Sequence, residues 1–193
     1  MKKHLFLTGL SGSGKSKLIN EVLGERLCSA GGFVTRRAED EAGKLLGFDI
    51  MPACAAGGVE GFVPQRILDY TVRPPKAFTE VFRNYGVQLL GEAQYYPFSV
   101  IDEFGGFELI VPQFRAKLAE FLSYDQPILG VLKGLENAEQ LRRSLGLGEK
   151  YIAFASRLKS ALEGDSRTMI IDLAETDKDA ARALVSQWAD EYC

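Results

Sequence analysis

A glycine-rich turn set between an apolar run and an amphipathic one constrains this chain more than any other feature. Gly9, Leu10, Ser11, Gly12, Ser13, Gly14, Lys15 and Ser16 follow His4-Leu5-Phe6-Leu7-Thr8 and fit G-x-x-x-x-G-K-[ST] at every fixed position. Gly9, Gly12 and Gly14 permit a backbone wrap that turns successive N–H groups inward around an anion, where a Cβ would obstruct. In such a pattern Lys15 reaches the outer phosphates of a polyphosphate and the Ser16 hydroxyl is offered to Mg²⁺. Lys17 opens the run Lys17 to Leu23, in which Leu18, Val22 and Leu23 share a helical face, so a helix N-terminus points at the anion. Strand, turn and helix in that order are the context the motif requires. Gly9 to Lys17 are therefore the expected phosphate-binding residues.

The rest of the composition narrows the class. A chain of 193 residues can bury its own core, and one domain spanning 1–193 is expected. A formal net charge of −3 argues against a general nucleic-acid or anionic-membrane surface, either of which needs clustered basic charge. The 3 cysteines, Cys28, Cys54 and Cys193, show no CxxC spacing, so they read as free thiols of a reducing compartment rather than a disulfide framework or zinc site. Met1-Lys2-Lys3 resembles the start of an export signal, but the apolar run after it breaks at Thr8-Gly9. No stretch approaches the roughly 18 apolar residues of a membrane span. A soluble, cytoplasmic protein is the expectation.

Periodicity along the chain predicts strands alternating with helices. Phe33 to Arg37 and Leu45 to Met51 read as a β-hairpin closed by the polar turn Glu39 to Gly43. Pro52 to Pro75 is interrupted by glycine and proline and reads as loop, with a short strand near Phe62-Val63. A helix is predicted from Ala77 to Gln94, weakened at Gly86, and others over Pro112 to Leu122, Asn137 to Leu145, Glu149 to Leu162 and Lys178 to Tyr192. Tyr96 to Ile101, Ile128 to Lys133 and Met169 to Leu173 are apolar runs suited to buried parallel strands. The fold class is thus α/β, with a mostly parallel central sheet, helices on both faces and a β-hairpin after the first helix.

The second chemical signal is an apolar strand ending in Asp102-Glu103, far along the chain from the glycine loop. An aspartate at such a strand end helps hold Mg²⁺ together with the loop hydroxyl, which assigns Ser16 and Asp102 to the metal. Adjacent strand residues face opposite ways, so Glu103 is expected across the strand end from Asp102, placed to orient or deprotonate an attacking water. The alternative for Glu103 is an exposed acid capping a loop. Arg36 is the first candidate to neutralise charge developing in phosphoryl transfer, with Arg37 its neighbour; alternation allows only one of them to face the site. Lys133 is either a γ-phosphate sensor or a surface lysine. His4 is expected to be structural or exposed rather than catalytic, Trp188 to pack the last helix, and Phe104 and Phe107 to be packed rather than stacked on a base.

Three stretches then resemble a known family. Gly9 to Ser16, Gly32-Phe33-Val34-Thr35-Arg36 with Gly47-Phe48-Asp49, and Asp102-Glu103-Phe104-Gly105-Gly106-Phe107-Glu108 are similar, in this order and at similar intervals, to the small P-loop nucleoside-triphosphatases first studied in thermophiles, to which an animal cancer-related nucleoside-triphosphatase also belongs. The resemblance covers most of Leu5 to Lys133. It implies the P-loop NTPase fold and a broad-specificity, Mg²⁺-dependent hydrolysis of nucleoside triphosphates, with Lys15 and Ser16 on phosphate and Mg²⁺, Asp102 on Mg²⁺ and Glu103 as the catalytic acid-base residue. Arg36 joins Lys15 and Glu103 as a catalytic candidate on the charge argument alone, its alternative being a solvated strand-end charge. Glu108 keeps the family's third acid, while Gly106 stands where many members have lysine. A nucleotide or small-metabolite kinase, and a nucleotide-binding switch or assembly factor with slow hydrolysis, are the alternative readings.

Overall fold

In a computed structural model describing residues 1–193, a sheet with strand order β5-β4-β3-β2-β6-β7-β1-β8 runs through the molecule. The strands are β1 (His4–Thr8), β2 (Ala30–Glu39), β3 (Leu45–Pro52), β4 (Gln65–Asp69), β5 (Lys76–Ala77), β6 (Phe98–Phe104), β7 (Ile128–Leu132) and β8 (Thr168–Asp172). β2, β6, β7, β1 and β8 are parallel, and β3, β4 and β5 extend that sheet antiparallel from β2. This is the expected α/β class with the expected hairpin, in register from Phe33↔Pro52 to Ala38↔Gly47 and shifted by one residue at Glu39↔Leu45.

Period-2 alternation divides the buried residues between the two sheet faces. On one face Leu5, Leu7, Val34, Val100 and Val131 meet helices α1 (Lys15–Leu23) and α8 (Lys178–Tyr192) through Leu18, Ile19, Val185 and Trp188. On the other, Phe6, Phe33, Ile101 and Leu132 meet α4 (Val87–Glu92), α5 (Pro112–Ser123) and α7 (Glu149–Gly164) through Leu89, Phe114, Leu118 and Tyr151. α2 (Ala53–Ala56) joins the first face through Ala53, and α3 (Thr79–Val81) and α6 (Leu135–Leu145) join the second through Val81 and Ala138. Trp188 is fully buried, and its indole N–H donates to the Lys3 carbonyl at 3.0 Å. No helix is long and apolar enough to cross a membrane.

Two departures from the pattern have physical causes. Phe62 and Val63 lie off any strand and are exposed, whereas Gln65–Asp69 forms β4. Its Ile67 and Leu68 are both buried, so β4 carries no alternation; it exists because β3 offers an edge to pair with. The helix predicted from Ala77 begins at Thr79 and carries a widened, π-type turn at Phe82–Gly86. A Cβ at Gly86 would lie 3.0 Å from both the Phe82 and Phe114 rings, so that glycine lets two aromatics close on the helix.

His4 shows what burial does without a partner. It is 1% exposed, and neither ring nitrogen is hydrogen-bonded, a cost of about 1–3 kcal/mol. Burial first, then the Arg167 charge, lowers its pKa to about 4. Between pH 6.5 and about 4 the unfolded chain therefore binds a proton that the folded one does not, and stability falls as pH drops through that window. Replacing His4→Leu is expected to reduce the loss of stability between pH 7.5 and pH 5, by on the order of 1 kcal/mol per pKa unit removed, as read from urea midpoints of the variant against the wild type.

Candidate active site

Parallel strands deliver their carboxyl ends to one edge of the sheet, and that is where ligands bind in open α/β folds. Here the ends of β1, β2, β6 and β7 surround a cavity of about 860 Å³. The loop after β1 adopts φ of 127° at Gly9, 77° at Gly12 and 94° at Gly14, in the left-handed region that side chains with a Cβ avoid. It delivers the chain into α1, whose first bond runs from Leu18 N–H to Gly14 O at 2.8 Å. Lys15 is 6% exposed and folds over its own loop, donating to Gly9 O at 3.0 Å, Leu10 O at 2.7 Å and Ser13 Oγ at 3.3 Å. Burial holds its pKa below the usual lysine value, outweighing the nearby Glu103 and Asp102 carboxylates.

Ser16 and Asp102, 86 residues apart, are joined directly: Ser16 Oγ donates to Asp102 Oδ1 at 3.0 Å. Asp102 is 3% exposed, and burial raises its carboxyl to about 7 against the opposing Ser16 bond. Glu103 behaves differently. The register of β6 on β7 shifts between Asp102 and Phe104, which makes Glu103 an extra residue on the strand. Asp102 keeps the α1 face and Phe104 returns to the face of Ile101, so strict alternation fails and Glu103 stands at the cavity wall. Its N–H donates to Thr35 Oγ1 at 3.2 Å, and its Oε2 accepts from Lys133 Nζ at 2.7 Å.

The turn after Glu103 is braced from three sides. Glu108 Oε1 accepts from Gly105 N–H at 2.6 Å and Gly106 N–H at 2.8 Å, the Tyr151 hydroxyl donates to Gly105 O at 3.2 Å, and Lys133 N–H donates to Phe104 O at 2.8 Å. A Cβ at Gly106 would stand 2.7 Å from Glu108 Oε2 and 3.4 Å from Lys133 Cε. A side chain there would collide with the brace, and the cation beside this turn comes instead from Lys133. Glu108, 3% exposed, is thus a bracing acid.

The sequence-predicted residues Lys15, Ser16, Asp102, Glu103 and Lys133 are brought together. Arg36 and Arg37 both line the cavity, which corrects the expectation that only one could; the cavity wraps the free end of β2 and meets both faces of the strand. Arg37 pairs with Glu39 at 2.9 Å, while Arg36 has no ion pair. Phe104 is fully buried with its ring 5.2 Å from that of Phe6, and Phe107 packs edge-on against Phe82 at 5.4 Å. His4 begins β1 at the opposite end from the acids. Sequence reading missed Thr35 and Asn137. Asn137 is 8% exposed and donates from Nδ2 to Gly9 O at 3.0 Å, and a buried amide in the first turn of α6 leaves no periodic trace. It also missed the wall made by Ile67, Leu68 and Tyr70, which belongs to the segment that reads as loop.

The cavity lining carries Lys15, Lys17, Arg36, Arg37 and Lys133 against Glu103 and Glu108, so an acidic protein presents a cationic pocket. Comparisons with known proteins bear on the family and the fold. A family model described as NTPase matches residues 4–152, beyond the stretch that the motifs alone covered, and the chain belongs to that family. Among solved structures, THEP1 from the hyperthermophile Aquifex aeolicus is similar with a TM-score of 0.60 and 17% identity over 94% of this chain and 96% of that one, a likeness of fold. No curated protein matches the chain.

Burial raises Glu108 to about 7 despite its backbone hydrogen bonds. The folded state therefore keeps a proton that the unfolded state releases near 4.5, and stability falls as pH rises from there to about 7. Glu108→Gln keeps an oxygen for both N–H groups and is expected to flatten that fall. Denaturant midpoints at pH 5 and pH 7.5, variant against wild type, provide the check, and an unchanged slope refutes it.

Proposed function

We propose that this protein hydrolyses nucleoside 5′-triphosphates to diphosphate and phosphate, with broad base specificity and dependence on Mg²⁺, as a single domain over 1–193. The observation that carries the reading is the 3.0 Å Ser16–Asp102 bond beside Glu103, which joins the strand-end acid to a loop hydroxyl that lines the cationic cavity. The pair suits Mg²⁺, a hard cation that prefers oxygen donors and takes its remaining ligands from phosphate oxygens and water. When bound there, Mg²⁺ neutralises charge on the outer phosphates. A reducing compartment such as the cytoplasm fits the unpaired Cys28, Cys54 and Cys193.

Each side chain then has work it can do from its place. The amides from Gly9 to Lys17 enclose the phosphate chain, and Lys15 exchanges its bonds to Gly9 O and Leu10 O for phosphate oxygens. Glu103 accepts the proton of the attacking water through its carboxylate, which the Lys133 ammonium holds in orientation. Arg36, exposed and without an ion pair, is free to swing onto the transferring group.

Glu103→Gln is expected to bind nucleotide nearly as the wild type does and to lose about 10²- to 10⁴-fold in kcat, the usual share of a general base. Turnover close to wild type in that variant would sink the assignment. Ser16→Ala is expected to raise the Mg²⁺ concentration needed for half-maximal phosphate release. A panel of ATP, GTP, CTP and UTP with and without Mg²⁺ measures both the base preference and the metal requirement.

A further inference from the structure

The cavity is larger than the phosphate site at its mouth. The glycine loop and Glu103 line one end of the 860 Å³, and the remainder runs along β2, β3 and β4 on one side and α6, through Gln140 and Leu141, on the other. Register explains what lines that far end. Arg37 of β2 stands opposite Phe48 of β3, and Phe48 opposite Leu68 of β4, so the three project from one face as a row. Tyr70 continues it, with its N–H donating to Leu46 O at 2.8 Å and its ring edge-on to Phe48 at 6.2 Å. Phe48 and Tyr70 are only half-buried, so both keep ring surface open to the cavity. Outward from Glu103 the wall therefore offers Thr35, then a guanidinium, then two aromatic rings.

We infer that this far end is a second-substrate subsite for an anionic aromatic molecule of the nucleoside monophosphate class, which replaces water as the acceptor of the phosphoryl group. The inference rests on the triphosphate reading above. The loop amides hold the inner phosphates and Lys15 the outer ones, so the outer phosphate lies at Lys15, Ser16 and Glu103. In this arrangement the donor's nucleoside has a place of its own past Ser13 and Lys17, where a separate cleft of about 270 Å³ opens between α1 and α8. The ring-lined end lies on the other side of the outer phosphate, the side from which an in-line nucleophile approaches. Water needs no rings there. Aromatic faces hold a base by stacking, and Arg37 offers a two-pronged contact to a phosphate. Its present pair with Glu39 is exposed, contributes little, and yields to such a ligand.

The transfer balances without any further reactant. An oxygen of the acceptor's phosphate bonds to the outer phosphorus of the triphosphate as that phosphorus parts from its bridging oxygen. The bridging electron pair stays with the donor, and one triphosphate plus one monophosphate become two diphosphates. A proton on the acceptor phosphate, where present, passes to Glu103.

The test uses the full chain with MgATP and AMP, GMP, CMP and dTMP added in turn. Product analysis partitions the phosphoryl group between inorganic phosphate and new diphosphate, and calorimetry measures monophosphate binding to protein holding a non-hydrolysable ATP analogue. At least one monophosphate is expected to bind and to divert phosphoryl transfer to itself. Phe48→Ala and Arg37→Ala are each expected to weaken its binding about tenfold or more, as loss of a stacking or charged partner does. Circular dichroism establishes that both variants fold, and Tyr70→Ala serves as a third probe of the same wall. Absence of binding, binding without transfer, or binding indifferent to the variants overturns the subsite. Absence of phosphate release from MgATP alone defeats the hydrolase reading instead, while the calorimetry still judges the subsite.

Discussion

Strand β6 hydrogen-bonds to β2 on one side and β7 on the other, and the register of those two ladders fixes where Asp102 and Glu103 stand. Val34↔Asp102, the last pair between β2 and β6, and Asp102↔Val131, the pair before the irregularity on β7, fix the aspartate's height in the sheet, facing α1. Ser16 on the first turn of α1 then meets it without any adjustment of the loop. The one-residue irregularity after Asp102 releases Glu103 from the alternation and sets it at the cavity wall, where Lys133 from the end of β7 can reach it. The site is a consequence of parallel pairing: strands that are distant along the chain end side by side.

Burial decides the electrostatics around that edge. Asp102 and Glu108 are both nearly excluded from water, and in each case desolvation outweighs the hydrogen bonds that favour the charged form. Glu108 spends its oxygen on two amides of the turn that follows Glu103, so its effect on the site is geometric. Glu103, less buried, has an ammonium partner at 2.7 Å and a free second oxygen. Three acids within a few residues of one another thus hold three different environments: one toward the loop hydroxyl, one at the cavity wall, one in the brace.

Most of the framework was legible in the sequence. His4 to Thr8, Ile128 to Leu132 and Lys178 to Tyr192 announce themselves because a buried parallel strand is apolar throughout and an amphipathic helix repeats every three to four residues. The glycine loop was legible for a different reason, since its backbone geometry admits so few residue types. Gln65 to Asp69 was not, because the register shift against β3 skips Ile67 and sends both Ile67 and Leu68 into one core, which erases the period-2 signal. Asn137 and Thr35 were missed because their partners, Gly9 O and the Glu103 N–H, lie 128 and 68 residues away in the chain.

The sequence by itself determined that this chain carries a phosphate-enclosing loop between strand and helix, a distant pair of acids at a strand end, and an alternation of elements that closes as a mostly parallel α/β sheet. These are local properties, set by which residues tolerate positive φ and which faces must be buried. Tertiary structure alone decided that Ser16 meets Asp102, that Lys133 holds Glu103, that both arginines of β2 reach the cavity, and that Phe48 and Tyr70 wall its far end. Those contacts depend on strand order and register, which follow from packing two cores onto opposite faces of one sheet, and no window of sequence contains both partners.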